Sequence, residues 1–144
     1  MNTGAITFRD CTPADIPAVL RLWKESGAIP TSTDTEEALS IRLCRDPQLF
    51  VLAFCADRLV GSLMGAWDGW RGNVYRLAVL PEFRRNGIAS RLVKTVEERL
   101  AELGAVRVYS LAVKPEVEPA ARPFWESAGY ELNSHVAPYV KTVT

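Results

Sequence analysis

The sequence predicts one α/β domain with the element order β-α-α-β-β-β-α-β-α-β-β, and three observations indicate this class. The chain has 144 residues, 48% of them hydrophobic and 24% charged, which is typical of a globular domain with one core. Alternating apolar residues indicate short strands, whereas apolar residues at spacings of three and four indicate helices. A long helical pattern between two apolar strands predicts a parallel pair joined by a crossover. We therefore expect a mixed central sheet of about seven strands flanked by about four helices.

The first part of the chain predicts a strand, two helices and a series of antiparallel strands. Thr12 and Pro13 suit the start of the first helix, and Gly27 suits its end. Asp46-Pro47 ends the second helix, because the residue before a proline disfavours helical backbone. The predicted ranges are Ala5 to Arg9 (strand), Thr12 to about Ser26 (helix), Thr35 to Arg45 (helix), and Leu49 to Cys55, Leu59 to Ala66 and Val74 to Leu80 (strands).

The second part predicts the crossover helix, a central strand, a short helix and two closing strands. The helix carries an apolar stripe at helical spacing and ends at Gly104. The strand that follows it is almost entirely apolar or β-branched, which suits a parallel neighbour of Val74 to Leu80. The predicted ranges are Gly87 to Leu103 (helix), Val106 to Val113 (strand), Pro119 to Ala128 (helix), and Tyr130 to Asn133 and Tyr139 to Val143 (strands).

Composition excludes several classes of function. The formal net charge is +0, which argues against a protein that binds nucleic acid by bulk attraction. No apolar run is long enough to span a bilayer and no signal peptide opens the chain, so we expect no membrane partner. Three cysteines without a close pair suit free thiols in the cytoplasm. His135 is the single histidine, which leaves no metal-ligand cluster; we expect His135 to be exposed and the cysteines to be packing residues.

The segment most informative about chemistry is the junction between the strand Leu77-Ala78-Val79-Leu80 and the helix that begins near Gly87. The first amide N–H groups of a helix lack internal partners and carry positive potential, so they can bind a phosphate. Arg84 and Arg85 add cationic donors, Ser90 adds a hydroxyl, and Gly87 and Ala89 leave room. The spacing fits neither the dinucleotide motif nor the P-loop. An ordinary strand-turn-helix with exposed arginines is the alternative.

Arg84-Arg85-Asn86-Gly87-Ile88-Ala89 resembles the acyl-coenzyme A motif Gln/Arg-x-x-Gly-x-Gly/Ala of the GNAT superfamily of N-acetyltransferases. Leu77-Ala78-Val79 with Pro81 looks like the fourth strand of that family, and Phe124-Trp125-Glu126-Ser127-Ala128-Gly129-Tyr130 looks like its later aromatic segment. Other pairs, such as Leu22-Trp23 and Met64-Gly65, are similar to small bacterial YpeA-like acetyltransferases. The predicted order of strands and helices also agrees with that of the family along the whole chain.

The resemblance implies a binding site for acetyl-CoA. The diphosphate would lie on the backbone amides of Arg85 to Ala89, a stretch that includes Asn86, Gly87 and Ile88. Pantetheine would pair along Leu77, Ala78 and Val79 like an added strand. The fourth and fifth strands would splay apart around the thioester, and a backbone N–H would polarise its carbonyl. Acceptor specificity would lie largely in the segment Gly27 to Thr35 and in the loops around Asp68 and Glu116.

The family's catalytic side chains do not carry over. Trp125 stands where many relatives have a tyrosine thought to protonate the thiolate, and its indole is not a useful acid. Ala112 stands where some relatives have a glutamate base. Asp68, Glu116 and Glu118 are the remaining candidates for a water-relayed base, although surface or turn roles suit each of them. Trp67 and Trp70 flank Asp68-Gly69 and suit either an acceptor wall or core packing.

We therefore predict a cytoplasmic acetyl-CoA-dependent N-acetyltransferase that acts on a primary amine of a small molecule or a peptide terminus. A thiol with a pKa near about 8.5 leaves readily, so positioning and carbonyl polarisation can carry much of the rate. A non-catalytic acyl-CoA-binding or regulatory module is the alternative, favoured by Trp125 and the missing base. The oligomeric state stays open, with a homodimer as one alternative.

Overall fold

The structure, a computed structural model, describes residues 4–112 and 117–144. The strands are β1 (Ile6–Asp10), β2 (Phe50–Cys55), β3 (Arg58–Trp67), β4 (Gly72–Val79) and β5 (Val108–Ser110). The helices are α1 (Ile16–Glu25), α2 (Glu36–Arg45), α3 (Ile88–Leu103) and α4 (Ala121–Ser127). The chain divides into two compact units, Met1–Leu111 and Ala112–Thr144, and the sheet lies in the first.

The sheet of the first unit is mixed, in the order β1-β2-β3-β4-β5. The first four strands pair antiparallel with their neighbours, whereas β4 and β5 are parallel. Helix α3 joins these two strands, which confirms the predicted crossover. Parallel neighbours need such a long connection, because a tight turn can join only antiparallel strands.

Side chains cap the starts of the first two helical segments. Thr12 and Asp15 form a capping box, in which the Asp15 carboxylate accepts the backbone N–H of Thr12 at 2.8 Å. A short 3-10 turn at Pro13–Asp15 then leads into α1. The Thr35 hydroxyl accepts the backbone N–H of Ala38 at 3.1 Å at the start of α2. Each contact satisfies a helical N–H that would otherwise lack a partner.

Helices cover both faces of the sheet in the first unit. Helix α3 packs on β2, β3 and β4, while α1 packs on β3 and β4. The α3 face of β3 contains Gly65, where an added Cβ would stand 2.6 Å from Val96 Cγ1. The absence of a side chain there lets the helix approach the sheet closely. Leu63, Leu92 and Val96 are fully buried between these layers.

The prediction of about seven strands is wrong, because the described residues form five. Tyr130 to Asn133 and Tyr139 to Val143 form no strand. Tyr139 and Val140 are 97% and 91% exposed, so their β-forming side chains bury no apolar surface that would hold a strand in place. Strand β5 is also shorter than predicted: Val106 lies before it and is exposed, and Val113 lies outside the described residues.

The second unit contains α4 and an extended segment after it. Trp125 packs edge-on against Phe124 and Tyr130, with ring centroids 5.2 and 4.9 Å apart. The N–H of Gly129 bonds to the carbonyl of Glu126 and that of Tyr130 to the carbonyl of Trp125, so the chain turns sharply after the helix. In neither described stretch of the chain is there a helix with the length and apolarity needed to cross a membrane.

Candidate active site

Strand β4 has an edge that is only partly paired. Its register with β5 covers Gly72 to Val74, and β4 continues to Val79. Among the described residues, no strand pairs with this continuation on the β5 side. The predicted pantetheine residues Leu77, Ala78 and Val79 lie there, with Leu77 half-buried and the other two buried. Backbone groups along such an edge can pair with an extended ligand as with an added strand.

A β-bulge interrupts β4 just before these residues. Ala78 pairs with Ser62 and Tyr75 pairs with Met64, so two residues of β4, Arg76 and Leu77, lie opposite one residue of β3. Arg76 has a φ of +59°, a left-handed conformation that is uncommon for a residue with a side chain. A bulge bends its strand and leaves a backbone group out of the ladder. Arg76 is not apparent as a site residue from the sequence, since nothing in its local sequence marks a positive φ.

Helix α3 begins next to this strand without a side-chain cap. Gly87 precedes the helix with a φ of +76°, and no atom lies within 4 Å of where its Cβ would be. Among the described residues at the start of α3, the first backbone N–H with a helical partner is that of Arg91, which donates to the Gly87 carbonyl at 3.1 Å. The amides of Ile88, Ala89 and Ser90 are therefore open to an anion. A hollow beside them includes Phe8, Asn86 and Arg91 in its lining.

The two arginines of the turn have different surroundings. Arg84 donates from Nε to the Val79 carbonyl at 3.0 Å and from Nη2 to the Ser26 carbonyl at 2.9 Å. Its guanidinium therefore ties the turn to the end of β4 and to the end of α1. Arg85 is exposed, has a φ of +65°, and its guanidinium has no partner among the described residues. Arg85 is the cation of the turn that is available to a ligand.

The other residues of the predicted donor site divide between support and contact. The Asn86 amide donates to the carbonyls of Phe83 and Arg84 at 3.1 and 3.3 Å, which holds the turn closed. Ile88 is buried and contributes its amide rather than its side chain. Ser90 is exposed and Ala89 is half-buried. The structure thus brings the residues of the predicted donor site together at the junction between β4 and α3.

The candidate bases have structural partners where they are described. Asp68 accepts the backbone N–H groups of Arg71 and Trp70 at 2.7 and 2.8 Å, and these bonds lower its pKa. A carboxylate whose charged form is stabilised by N–H donors in this way is a weaker proton acceptor. In the second unit, Glu118 accepts the N–H of Ala120 at 3.1 Å. Glu116 lies outside the described residues.

The remaining sequence candidates do not form a cluster. Trp67 lies 3.7 Å from where a Cβ on Gly104 would be, at the end of α3, and Trp70 is 71% exposed. His135 is exposed, as expected. All three cysteines are free, with Cys11 buried and Cys44 exposed. Burial raises the pKa of the Cys11 thiol to about 12, so it is not a nucleophile at neutral pH.

The fold and the site together define an α/β domain in which a helix start without a side-chain cap follows a partly unpaired strand edge. Residues 16–130 match the acetyltransferase (GNAT) family. An acetyltransferase of Pectobacterium atrosepticum is 36% identical over 117 residues, covering 81% of this chain and 82% of the relative. An acetyltransferase of Photorhabdus laumondii is 34% identical over 117 residues, covering 81% and 80%. The chain belongs to the GNAT family and is an acetyltransferase.

Solved structures share the fold at lower sequence identity. Ard1 from Thermoplasma volcanium has a TM-score of 0.77 at 22% identity, covering 90% of this chain and 85% of its own. The PaiA N-acetyltransferase from Thermoplasma acidophilum, crystallised with coenzyme A, has a TM-score of 0.75 at 18% identity, covering 90% and 91%. Enzymes of the GNAT family use acetyl-CoA as acetyl donor. The open amides of α3 and the unpaired Arg85 fit the diphosphate of this donor.

Proposed function

We propose that this acetyltransferase transfers the acetyl group of acetyl-CoA to a primary amine of a small molecule or a peptide terminus, by direct attack on the thioester. The observation that carries the proposal is the uncapped start of α3 directly after the open edge of β4. These two features offer one site for a diphosphate and one for an extended chain that ends in a thioester. The YpeA-like subgroup remains a prediction.

The donor site follows from the surroundings of each residue. The diphosphate would accept hydrogen bonds from the backbone N–H groups of Arg85 to Ala89. The Arg85 side chain and the Ser90 hydroxyl would be further donors. Pantetheine would pair with the backbone of Leu77 to Val79. This places the thioester at the bulge of β4, where a backbone N–H left out of the ladder can polarise the carbonyl. Arg84 and Asn86 hold the turn in shape.

The reaction needs a neutral amine more than it needs a strong acid. The amine nitrogen attacks the carbonyl carbon, the carbon–sulfur bond breaks, and coenzyme A leaves as a thiolate while the amine proton passes to water. Asp68 is a poor base here because two backbone N–H groups stabilise its charge. An α-amine with a pKa near about 8 is far more often neutral at pH 7 than a lysine-like amine near about 10.4. We therefore infer that amines of low pKa are the better acceptors.

A panel of primary amines tests this function. Free thiol is measured as it forms from acetyl-CoA at pH 7, and mass spectrometry identifies the acetylated product. For acceptors of similar size, we expect α-amines to react about two-hundredfold faster than lysine-like amines, in proportion to their neutral fractions. Binding of acetyl-CoA without transfer to any amine would contradict the proposal and favour an acyl-CoA-binding regulatory module. A preference for lysine-like amines would indicate a base that the chain supplies.

We also propose that both compact units belong to one acetyltransferase domain in the cytoplasm. The match to the family runs from residue 16 to residue 130 and so includes residues of both units, which supports one domain. Three free cysteines are consistent with a reducing compartment. Light scattering of the purified chain would distinguish a monomer from a homodimer.

A further inference from the structure

Arg76 lies at the bulge of β4 and is held there at both its backbone and its side chain. The hydroxyl of the fully buried Ser62 donates to the Arg76 carbonyl at 3.2 Å and accepts the indole N–H of Trp23 at 2.9 Å. The Arg76 guanidinium lies 5.1 Å from the centre of the Trp23 ring. A residue with a side chain keeps a positive φ only where its surroundings fix it. Trp23 and Ser62 supply part of that restraint.

Asp34 and, more weakly, the Thr31 hydroxyl at 3.4 Å also hold the Arg76 guanidinium. Both carboxylate oxygens of Asp34 accept from Arg76 Nη2, at 2.6 and 2.8 Å. The Arg76 and Asp34 side chains are only 16% and 19% exposed, so water screens this pair less than the ion pairs on the surface. This ion pair joins the bulge of β4 to the segment between α1 and α2.

The same carboxylate also organises that segment. Asp34 accepts the backbone N–H of Thr31 at 3.0 Å and the Thr31 hydroxyl at 3.2 Å. The segment Gly27 to Thr35 is therefore folded around Asp34, and Asp34 is bound to Arg76. A movement of the segment that breaks this contact removes the charge partner that holds Arg76 in its strained conformation.

We propose that Arg76 is a positioning residue that couples the segment Gly27 to Thr35 to the bulge of β4 through Asp34. The inference rests on the proposed function, in which the bulge polarises the thioester, and on the expectation from the family resemblance that the segment contacts the amine. With the contact intact, the amine site and the carbonyl site have one fixed relative geometry. Without it, both the acceptor KM and kcat change, while the binding of acetyl-CoA at α3 is preserved.

Three variants test the coupling, and a fourth is the matched control. Asp34→Asn removes the charge and keeps the shape, Arg76→Lys keeps the charge and loses the planar fork, and Arg76→Gly removes the side chain but accepts a positive φ. Asp15→Asn removes the charge from another arginine–aspartate ion pair with two hydrogen bonds, in which Arg9 Nη1 and Nη2 each bond to one Asp15 oxygen. Arg9 lies on β1, three strands away from β4. Thermal unfolding first establishes that each variant is folded.

Steady-state kinetics give the first readout. We expect Asp34→Asn and Arg76→Gly to raise the amine KM and to lower kcat, each by about tenfold, with the acetyl-CoA KM within about twofold of wild type. Arg76→Lys should lie between these variants and wild type. Asp15→Asn should change neither constant. An unchanged amine KM in Asp34→Asn, or equal losses in the control, would overturn the coupling.

Hydrogen exchange without ligand gives a second readout that does not depend on activity. In Asp34→Asn, we expect faster exchange in peptides from both Gly27 to Thr35 and the bulge of β4, and unchanged exchange in β1. Faster exchange in the segment alone would overturn the coupling even if the enzyme were active. If exchange behaves as expected but no amine is acetylated, the proposed function fails while the physical coupling stands.

Discussion

Arg84 and Arg85 are adjacent residues whose guanidinium groups have different surroundings. Arg84 is bound to the carbonyls of Val79 and Ser26, so only Arg85 is available to the donor. We expect Arg85→Ala to weaken acetyl-CoA binding by about tenfold or more, since hydrogen bonds to charged groups contribute about 1.5–3 kcal/mol. Calorimetry with coenzyme A and dephospho-coenzyme A checks this. A larger loss for coenzyme A would assign Arg85 to the 3′-phosphate, and an equal loss would assign it to the diphosphate.

Arg84→Ala is the matched control for that measurement. Its loss removes two hydrogen bonds that tie the turn to β4 and α1, so we expect a lower melting temperature and a smaller effect on affinity once the protein is folded. Unchanged affinity in folded Arg85→Ala, with a large loss in Arg84→Ala, would contradict the assignment of Arg85 as the ligand contact.

The ion pair between Arg9 and Asp15 makes stability depend on acid pH. The hydrogen bond from Arg9 is the main cause that lowers the pKa of Asp15 from 3.8 to about 2. A lowered folded-state pKa adds stability that is present above about pH 4 and is lost as pH falls through about 2. Because the Arg9 side chain is half exposed, we expect about 1 kcal/mol. Urea unfolding should show that wild type exceeds Asp15→Asn by this amount at pH 6, with the difference vanishing near pH 2.

Individual residues differ in how far the sequence reveals them. Gly87 could be predicted, because glycine before a helix favours a positive φ. Arg76 could not, since its positive φ depends on Asp34, Trp23 and Ser62, which are distant in sequence and meet only in the folded chain. The different roles of Arg84 and Arg85 were equally hidden, because the carbonyls that bind Arg84 come from β4 and the end of α1.

At the scale of elements, the sequence is most informative where local signals and burial agree. The helices α1, α2 and α3 begin and end within a few residues of their predicted bounds, because caps and apolar stripes act along the same segments. The alternating pattern of Tyr139 to Val143 predicts a strand that does not form. Strand propensity depends on packing against neighbouring residues, and this segment has no such packing. The parallel pair of β4 and β5 followed correctly from the helix between the two strands.

The start of α3 gives a prediction that separates the effect of charge from the effect of side-chain shape on donor binding. Gly87→Asp places a carboxylate at the helix N-terminus. The helix dipole attracts this negative charge, but the charge repels a diphosphate. Gly87→Asn has nearly the same shape and tolerates a positive φ, without the charge. We expect Gly87→Asp to abolish acetyl-CoA binding in calorimetry and Gly87→Asn to retain most of it. Equal affinities in the two folded variants would remove the α3 amides from the donor site.

At the scale of the whole molecule, the candidate site depends on elements that are far apart in the chain. The donor half lies within one continuous stretch, from β4 through the turn to α3, and a local motif could therefore reveal it. The family resemblance places the acceptor half largely in the segment between α1 and α2 and in loops, where no local sequence pattern defines the amine. The sequence thus predicted the donor but left the amine undefined.

Trp125 tests whether the complete enzyme needs a general acid. The family resemblance aligns Trp125 with a tyrosine of many relatives, and its indole cannot supply a proton at neutral pH. Trp125→Phe keeps an aromatic ring to pack against Phe124 and Tyr130, so we expect most of the turnover to remain. If an acid were required, Trp125→Tyr would raise turnover by up to the ~100 to 10,000-fold of general acid catalysis. Thiol-release assays decide between these outcomes, with melting temperatures to establish folding. We expect no such rise, because a thiol with a pKa near about 8.5 leaves as a thiolate without a general acid. The expectation would be contradicted if the wild type bound acetyl-CoA but acetylated no amine while Trp125→Tyr was active.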